Sequence, residues 1–137
     1  MSEPASIVVR RRIEWADTDA SGWYHNTAVL RLIEEAENDL LDALGLLGEV
    51  TGRIPRVHIT IDFRKVLRFR DEVDVHVGVE DVGESSTSYT FELRHAGDVA
   101  AEGRFVTALV DPDGRKRPWP QAQKNALLTA GVVGSER

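Results

Sequence analysis

The chain has 137 residues, 42% of them apolar, and carries 17 Lys+Arg against 23 Asp+Glu for a formal net charge of −6. That length suits one domain over residues 1–137 with a single core, and the absence of cysteine excludes thiolate catalysis, disulfide frameworks and cysteine-bound zinc while fitting a reducing, cytoplasmic compartment. The acidic balance disfavours general binding to nucleic acid or to an anionic membrane, no apolar run approaches the roughly 20 residues of a membrane helix, and MSEPASIVVRRR lacks a signal-peptide core.

Ile7 to Glu14 reads as a strand whose Arg10, Arg11 and Arg12 form a solvated face or a subunit contact. Trp15 to His25 is too polar and too rich in turn formers for a regular element. From Thr27 to Leu44 apolar residues recur at Ala28, Leu32, Ala36, Leu40 and Leu44, with Val29, Ile33 and Leu41 beside them. This is the stripe of one long helix, capped by Asn26 or Thr27 and stopped at Gly45. At about 100° per residue Glu37 falls inside the apolar arc and Glu34 at its edge.

Period-two runs follow at Val57–Phe63, Val73–Val79 and Thr87–Leu93, then from about Val99 to Val110. Short turns at Arg70-Asp71, Val82-Gly83-Glu84 and His95-Ala96-Gly97-Asp98 predict that these strands are neighbours in an antiparallel meander. A short helix is expected at Gln121 to Thr129, with frayed residues after it. The layout is α+β, an antiparallel five-stranded sheet wrapped round one long helix, and its open edges invite a second copy of the chain.

The segment WADTDASGWYHNTAVLRLIEEA, Trp15 to Ala36, holds Asp17 and Asp19 as D-x-D, Gly22 three residues later and Glu34 on the helix. It resembles the acyl-CoA thioesterases of the 4-hydroxybenzoyl-CoA thioesterase family, and with the element order it resembles the hotdog fold. The likeness extends more weakly to Arg117-Pro118-Trp119-Pro120. It implies hydrolysis of an acyl-CoA or acyl-carrier-protein thioester by a homodimer or a tetramer, with no cofactor besides the CoA of the substrate.

Thioester hydrolysis needs a carboxylate to attack or to activate water, donors for the developing oxyanion, and a slot for the acyl group. The resemblance implies Asp19 as nucleophile or general base and the backbone N–H of Asn26, backed by the helix dipole, as the donor. Asp17 then shapes the loop, with Gly22, Trp23 and Tyr24 against the substrate. His25 followed nine residues later by Glu34 also resembles a sister lineage in which the helix carboxylate does the chemistry. DTDASG matches more positions, so Asp19 leads and Glu34 is the alternative, with Glu37 a third acid outside either pattern.

Gly83-Glu84-Ser85-Ser86 stands where relatives place cations for the CoA phosphates, and Val29 where many have an aromatic residue. Arg64, Lys65, Arg68 and Arg70, or Arg115, Lys116 and Arg117, are left to meet the phosphates or an acidic carrier. D-x-D-x-S-G also reproduces the start of a calcium loop, but its twelfth position is Ala28 and not a bidentate Glu. His58, His76 and His95 lack ligand spacing, and no metal site is expected. Two other functions compete: an enoyl-thioester hydratase or dehydratase, whose usual histidine, proline and glycine signature is missing, and a non-catalytic acyl-CoA binder.

Overall fold

The computed structural model describes residues 2–134. Strand β1 (Glu3–Arg12) leads through a single 3₁₀ turn (Trp15–Asp17) and a loop into helix α1 (Asn26–Ala43). A one-turn helix α2 (Leu47–Val50), β2 (Arg56–Phe63), β3 (Glu72–Val82), β4 (Ser86–His95) and β5 (Asp98–Ala108) follow, then α3 (Gln121–Thr129) and β6 (Ala130–Val132).

The period-two patterns of β3 and β4 and the 3.6-residue stripe of α1 mark the faces that meet the core, whereas Val57 and Phe63 of β2 are exposed. Val73, Val75, Val77 and Val79 of β3 are buried, as are Thr87, Tyr89, Phe91 and Leu93 of β4. These face Val29, Leu32, Ile33, Ala36 and Leu40 of α1, and removing each such aliphatic side chain from water contributes about 1.5–3 kcal/mol.

The sheet departs from the expectation in three ways. It has six strands, not five, in the order β2-β5-β4-β3-β1-β6. It is mixed, since β6 runs parallel to β1 with Val133 N–H donating to Ser6 O at 2.8 Å, so residues 130–132 are a strand and not a frayed end; the expected fraying of residues 135–137 lies outside the described residues. And β2 is not beside β3. It crosses to the far edge and pairs with β5, while only β3, β4 and β5 form the meander. Gly103 admits that crossover strand: a Cβ there would sit 1.9 Å from the Thr60 carbonyl oxygen.

Boundaries also move. β1 runs from Glu3 to Arg12 and not from Ile7 to Glu14, β5 ends at Ala108 and not Val110, and the helix cap is His25, not Asn26 or Thr27. Arg11 turns inward instead of joining a wet face, its guanidinium bonding Glu35 at 2.8 Å and Asp39 at 3.0 Å on α1. Arg10, on the other face, pairs with Glu72 and Asp74 of β3.

Candidate active site

The loop before α1 is a hairpin whose two arms meet at a bridge between Thr18 and Tyr24. Asp19 N–H donates to Trp23 O at 3.1 Å, and Gly22 N–H donates back to Asp19 O at 2.9 Å, closing the tip. Gly22 has φ +87°, a left-handed value that accounts for glycine at this place in the motif. Tyr24 N–H donates to Leu67 O at 2.8 Å, so the hairpin is tied to the segment between β2 and β3.

The tip exposes Asp19. Its Oδ1 accepts the Ser21 N–H at 2.9 Å and also the Ser21 hydroxyl, and Oδ2 accepts no hydrogen bond from any described residue. The Ser21 hydroxyl, then its N–H, hold the carboxyl below its ordinary value, so the group is ionised at neutral pH. Asp17 is buried and points the other way. Burial alone would raise it, but Arg31 at 3.0 and 2.5 Å and the Glu14 N–H at 2.7 Å outweigh that and hold it below its ordinary value.

His25 sits at the N-cap of α1 with extended backbone angles. Its Nε2–H donates to Ala16 O at 3.1 Å and its Nδ1 accepts the Thr27 hydroxyl, so both ring nitrogens are engaged in the loop. The N–H of Asn26, the first residue of α1, makes no hydrogen bond to another described residue. It is one of the donors that every helix start leaves over, with the positive end of the dipole behind it.

A cavity of about 430 Å³ collects these groups: Asp19, Ser21, His25 and Asn26 line it, with Trp23, Tyr24 and Phe63 as aromatic walls. Tyr24 is buried, its phenol pushed up to about 12 by burial, and its hydroxyl has no partner. Arg64 and Lys65 also border the cavity, but Arg64 bonds Glu102 at 3.0 Å and Lys65 bonds Asp98 at 2.7 Å. Arg68 lies 4.3 Å above the Trp23 ring, Arg70 lies 5.9 Å from the Phe69 ring, and neither has a carboxylate partner among the described residues. Arg115, Lys116 and Arg117 are exposed on the loop before α3.

Glu34 is not in that cavity. It is exposed and lines a separate cavity of about 630 Å³ together with Glu37, Asn38 and Arg56. Sequence reading therefore placed Asp19, Asn26, His25, Trp23 and Tyr24 together, and Glu34 elsewhere on the same chain. It passed over Ser21, Arg31 and Arg56. A signal existed for Arg31: a buried Asp17 requires a cation, and Arg31 lies one helical turn past the loop. Among the described residues no group of three or more His, Asp or Glu is placed to hold a metal ion, and no helix is long and apolar enough to cross a membrane.

Residues 13–127 match the thioesterase-like superfamily. A 1,4-dihydroxy-2-naphthoyl-CoA hydrolase from Picosynechococcus is 32% identical over 120 residues, covering 79% of this chain and 82% of the relative. A second protein of that name, from Prochlorococcus marinus, is 28% identical over 144 residues, covering 94% and 95%. Among solved structures, a thioesterase from Thermus thermophilus complexed with coenzyme A and Zn superposes with a TM-score of 0.79 at 26% identity, covering 88% of this chain and 90% of that one.

Proposed function

Since this chain belongs to the thioesterase-like superfamily, we propose that its activity, the hydrolysis of an acyl-CoA thioester to a free acid and CoA, is carried out at the Asp19 cavity. One observation carries this reading: an ionised carboxylate with a free oxygen and an unbonded helix N-terminal N–H line the same cavity. With the thioester oxygen on the Asn26 N–H, charge that develops on that oxygen is stabilised by a donor already fixed in place. Asp19 Oδ2 then either attacks the carbonyl carbon, expelling CoA as thiolate and leaving an anhydride for water to cleave, or takes a proton from a water that attacks instead. Both routes consume one water and return the same acid and thiol. Carboxylate, water and backbone donors suffice, and no further cofactor is proposed.

His25, with both nitrogens engaged, positions the loop and does not serve as a base. The D-x-D hairpin favours the loop-carboxylate lineage that resembles 4-hydroxybenzoyl-CoA thioesterases. The names of the two relatives support a hydroxylated aromatic acyl group as the substrate class. The proposed working unit is a dimer with its long helices paired at the centre and each acyl slot lined by both chains. Supporting this, β2 is a sheet edge, and Val57, Phe63 and Val66 are left 57%, 46% and 53% exposed on and beside it. The lack of cysteine supports a cytoplasmic location.

The test compares two variants on a panel of acyl-CoAs with a thiol reagent. Asp19→Asn is expected to lower kcat at least a hundredfold with little change in KM, and Glu34→Gln much less. The reverse ranking would move the chemistry to the helix, and consumption of an enoyl substrate without thiol release would replace hydrolysis by hydration.

A further inference from the structure

Glu37 is more deeply buried than any other described carboxylate, at 3% exposure, and the proposed hydrolysis does not use it. Its Oε1 accepts Arg56 Nη2 at 3.0 Å and the buried Tyr89 phenol lies beside the carboxyl, while Oε2 and the Nε–H of the same guanidinium make no hydrogen bond to a described residue. Burial pushes the Glu37 carboxyl up to about 7 against the opposing pull of Arg56. Arg56 is itself fixed, its guanidinium lying 4.7 Å from the centre of the Phe105 ring. An unmade hydrogen bond on a buried group is costly, so two such groups in one ion pair are an uncommon thing for a fold to keep. The residues Glu37 and Arg56 border the cavity of about 630 Å³ between α1 and residues 51–56, whose other walls include Leu47, Ile54, Pro55 and Val110.

We propose that the Glu37–Arg56 pair is a receptor for a neutral hydroxyl group on the acyl part of the substrate, the hydroxyl donating to Glu37 Oε2 and accepting from Arg56 Nε–H. The charges select this ligand. With Glu37 ionised the pair is neutral as a unit, so an anionic group meets Glu37 and a cationic group meets Arg56, each uncompensated. A plain alkyl or aryl group leaves both unpaired atoms as they are. A hydroxyl satisfies both at once, and the cavity falls within the ordinary range for small-molecule sites.

This inference rests on the thioester-hydrolase reading. Along one helix Glu37 lies eleven residues from Asn26, about 16 Å, which is beyond the reach of one ring system held at the Asn26 N–H. In the dimer proposed above, the acyl group would instead enter from the thioester site of the second protomer.

The experiment measures kcat/KM of the wild type on 2-naphthoyl-CoA and its monohydroxylated forms. At least one hydroxylated form is expected to be preferred about tenfold or more. In Glu37→Leu and in Arg56→Met, each checked for native circular dichroism, that ratio is expected to fall toward one, with Glu37→Gln keeping part of it. A wild type that does not discriminate overturns the proposal without any variant, and so does discrimination that survives in a folded Glu37→Leu or Arg56→Met. If no acyl-CoA is hydrolysed, the hydrolase reading fails, and binding alone decides the receptor. Wild-type protein should then bind 2-naphthol about tenfold more tightly than 2-methoxynaphthalene, by fluorescence titration, and equal affinity overturns it.

Discussion

Arg31 holds both carboxylate oxygens of Asp17, Nε to Oδ1 at 3.0 Å and Nη2 to Oδ2 at 2.5 Å, and its third nitrogen reaches Glu35 at 3.0 Å. Glu35 in turn accepts from Arg11 of β1, so one chain of ion pairs runs from the loop across α1 to the sheet. The first Asp of the D-x-D motif is thus the anchor that carries the second.

Asp17→Asn should therefore lower stability by about 1–3 kcal/mol, less than a fully buried pair costs because Arg31 is 34% exposed. Arg31→Met should cost a similar amount, and the double variant less than the sum, as a double-mutant cycle by thermal melts would show. Pairing depresses the folded-state pKa of Asp17, so its stabilisation is present above the ordinary carboxylate value of 3.8 and is lost as pH falls below it.

Ser21→Ala should move the acid limb of kcat/KM upward. Ser21 holds Asp19 below its ordinary value, chiefly through its hydroxyl, and the ionised form does the chemistry. Wild-type activity should stay flat well into mildly acidic buffer, whereas the variant should begin to fall at higher pH, as Asp19 moves back toward the ordinary aspartate value of 3.8. An unchanged pH profile would show that the hydroxyl does not tune the carboxylate.

Glu37 makes the opposite prediction for stability. Burial and the nearby Glu34 raise it while Arg56 and the Tyr89 phenol oppose them, and its folded pKa of about 7 lies above the ordinary 4.5. The folded chain therefore binds the proton more tightly than the unfolded one. The resulting stabilisation, ~3 kcal/mol, is complete below about pH 4.5 and is lost as pH rises through about 7. Thermal melts of the wild type between pH 5 and 8 should show this decline, and Glu37→Gln should flatten it.

Arg68→Glu and Arg70→Glu should raise KM for acyl-CoA about tenfold while changing kcat less than threefold, because these two cations have no carboxylate partner to satisfy first. Wild-type KM should also rise with salt. Acyl-pantetheine, which lacks the nucleotide phosphates, should be indifferent to both changes, and equal effects on the two substrates would remove the arginines from phosphate recognition.

What the sequence determined by itself was everything written in local periodicity and local turn chemistry. The α1 stripe, the alternating valines of β3 and the Asp19–Gly22 turn depend on residues within a few positions of one another, and so does the presence of Asn26 at a helix start. Helical phase alone placed Glu37 inside the apolar arc, and it is buried. Tertiary structure decided whatever depends on partners far along the chain. Period two is blind to which strand lies alongside, and the short Arg70-Asp71 turn pointed to β3 as the neighbour of β2. Pairing with β5 is settled instead by the close approach at Gly103 and a register running from Arg56 opposite Thr107 to Phe63 opposite Ala101. The partner of each charge is decided in the same way. Arg31 on Asp17, Arg11 on Glu35, Arg64 on Glu102 and Arg56 on Glu37 span 14, 24, 38 and 19 residues, and a side chain's neighbours at such separations exist only once loop, helix and strands have packed together.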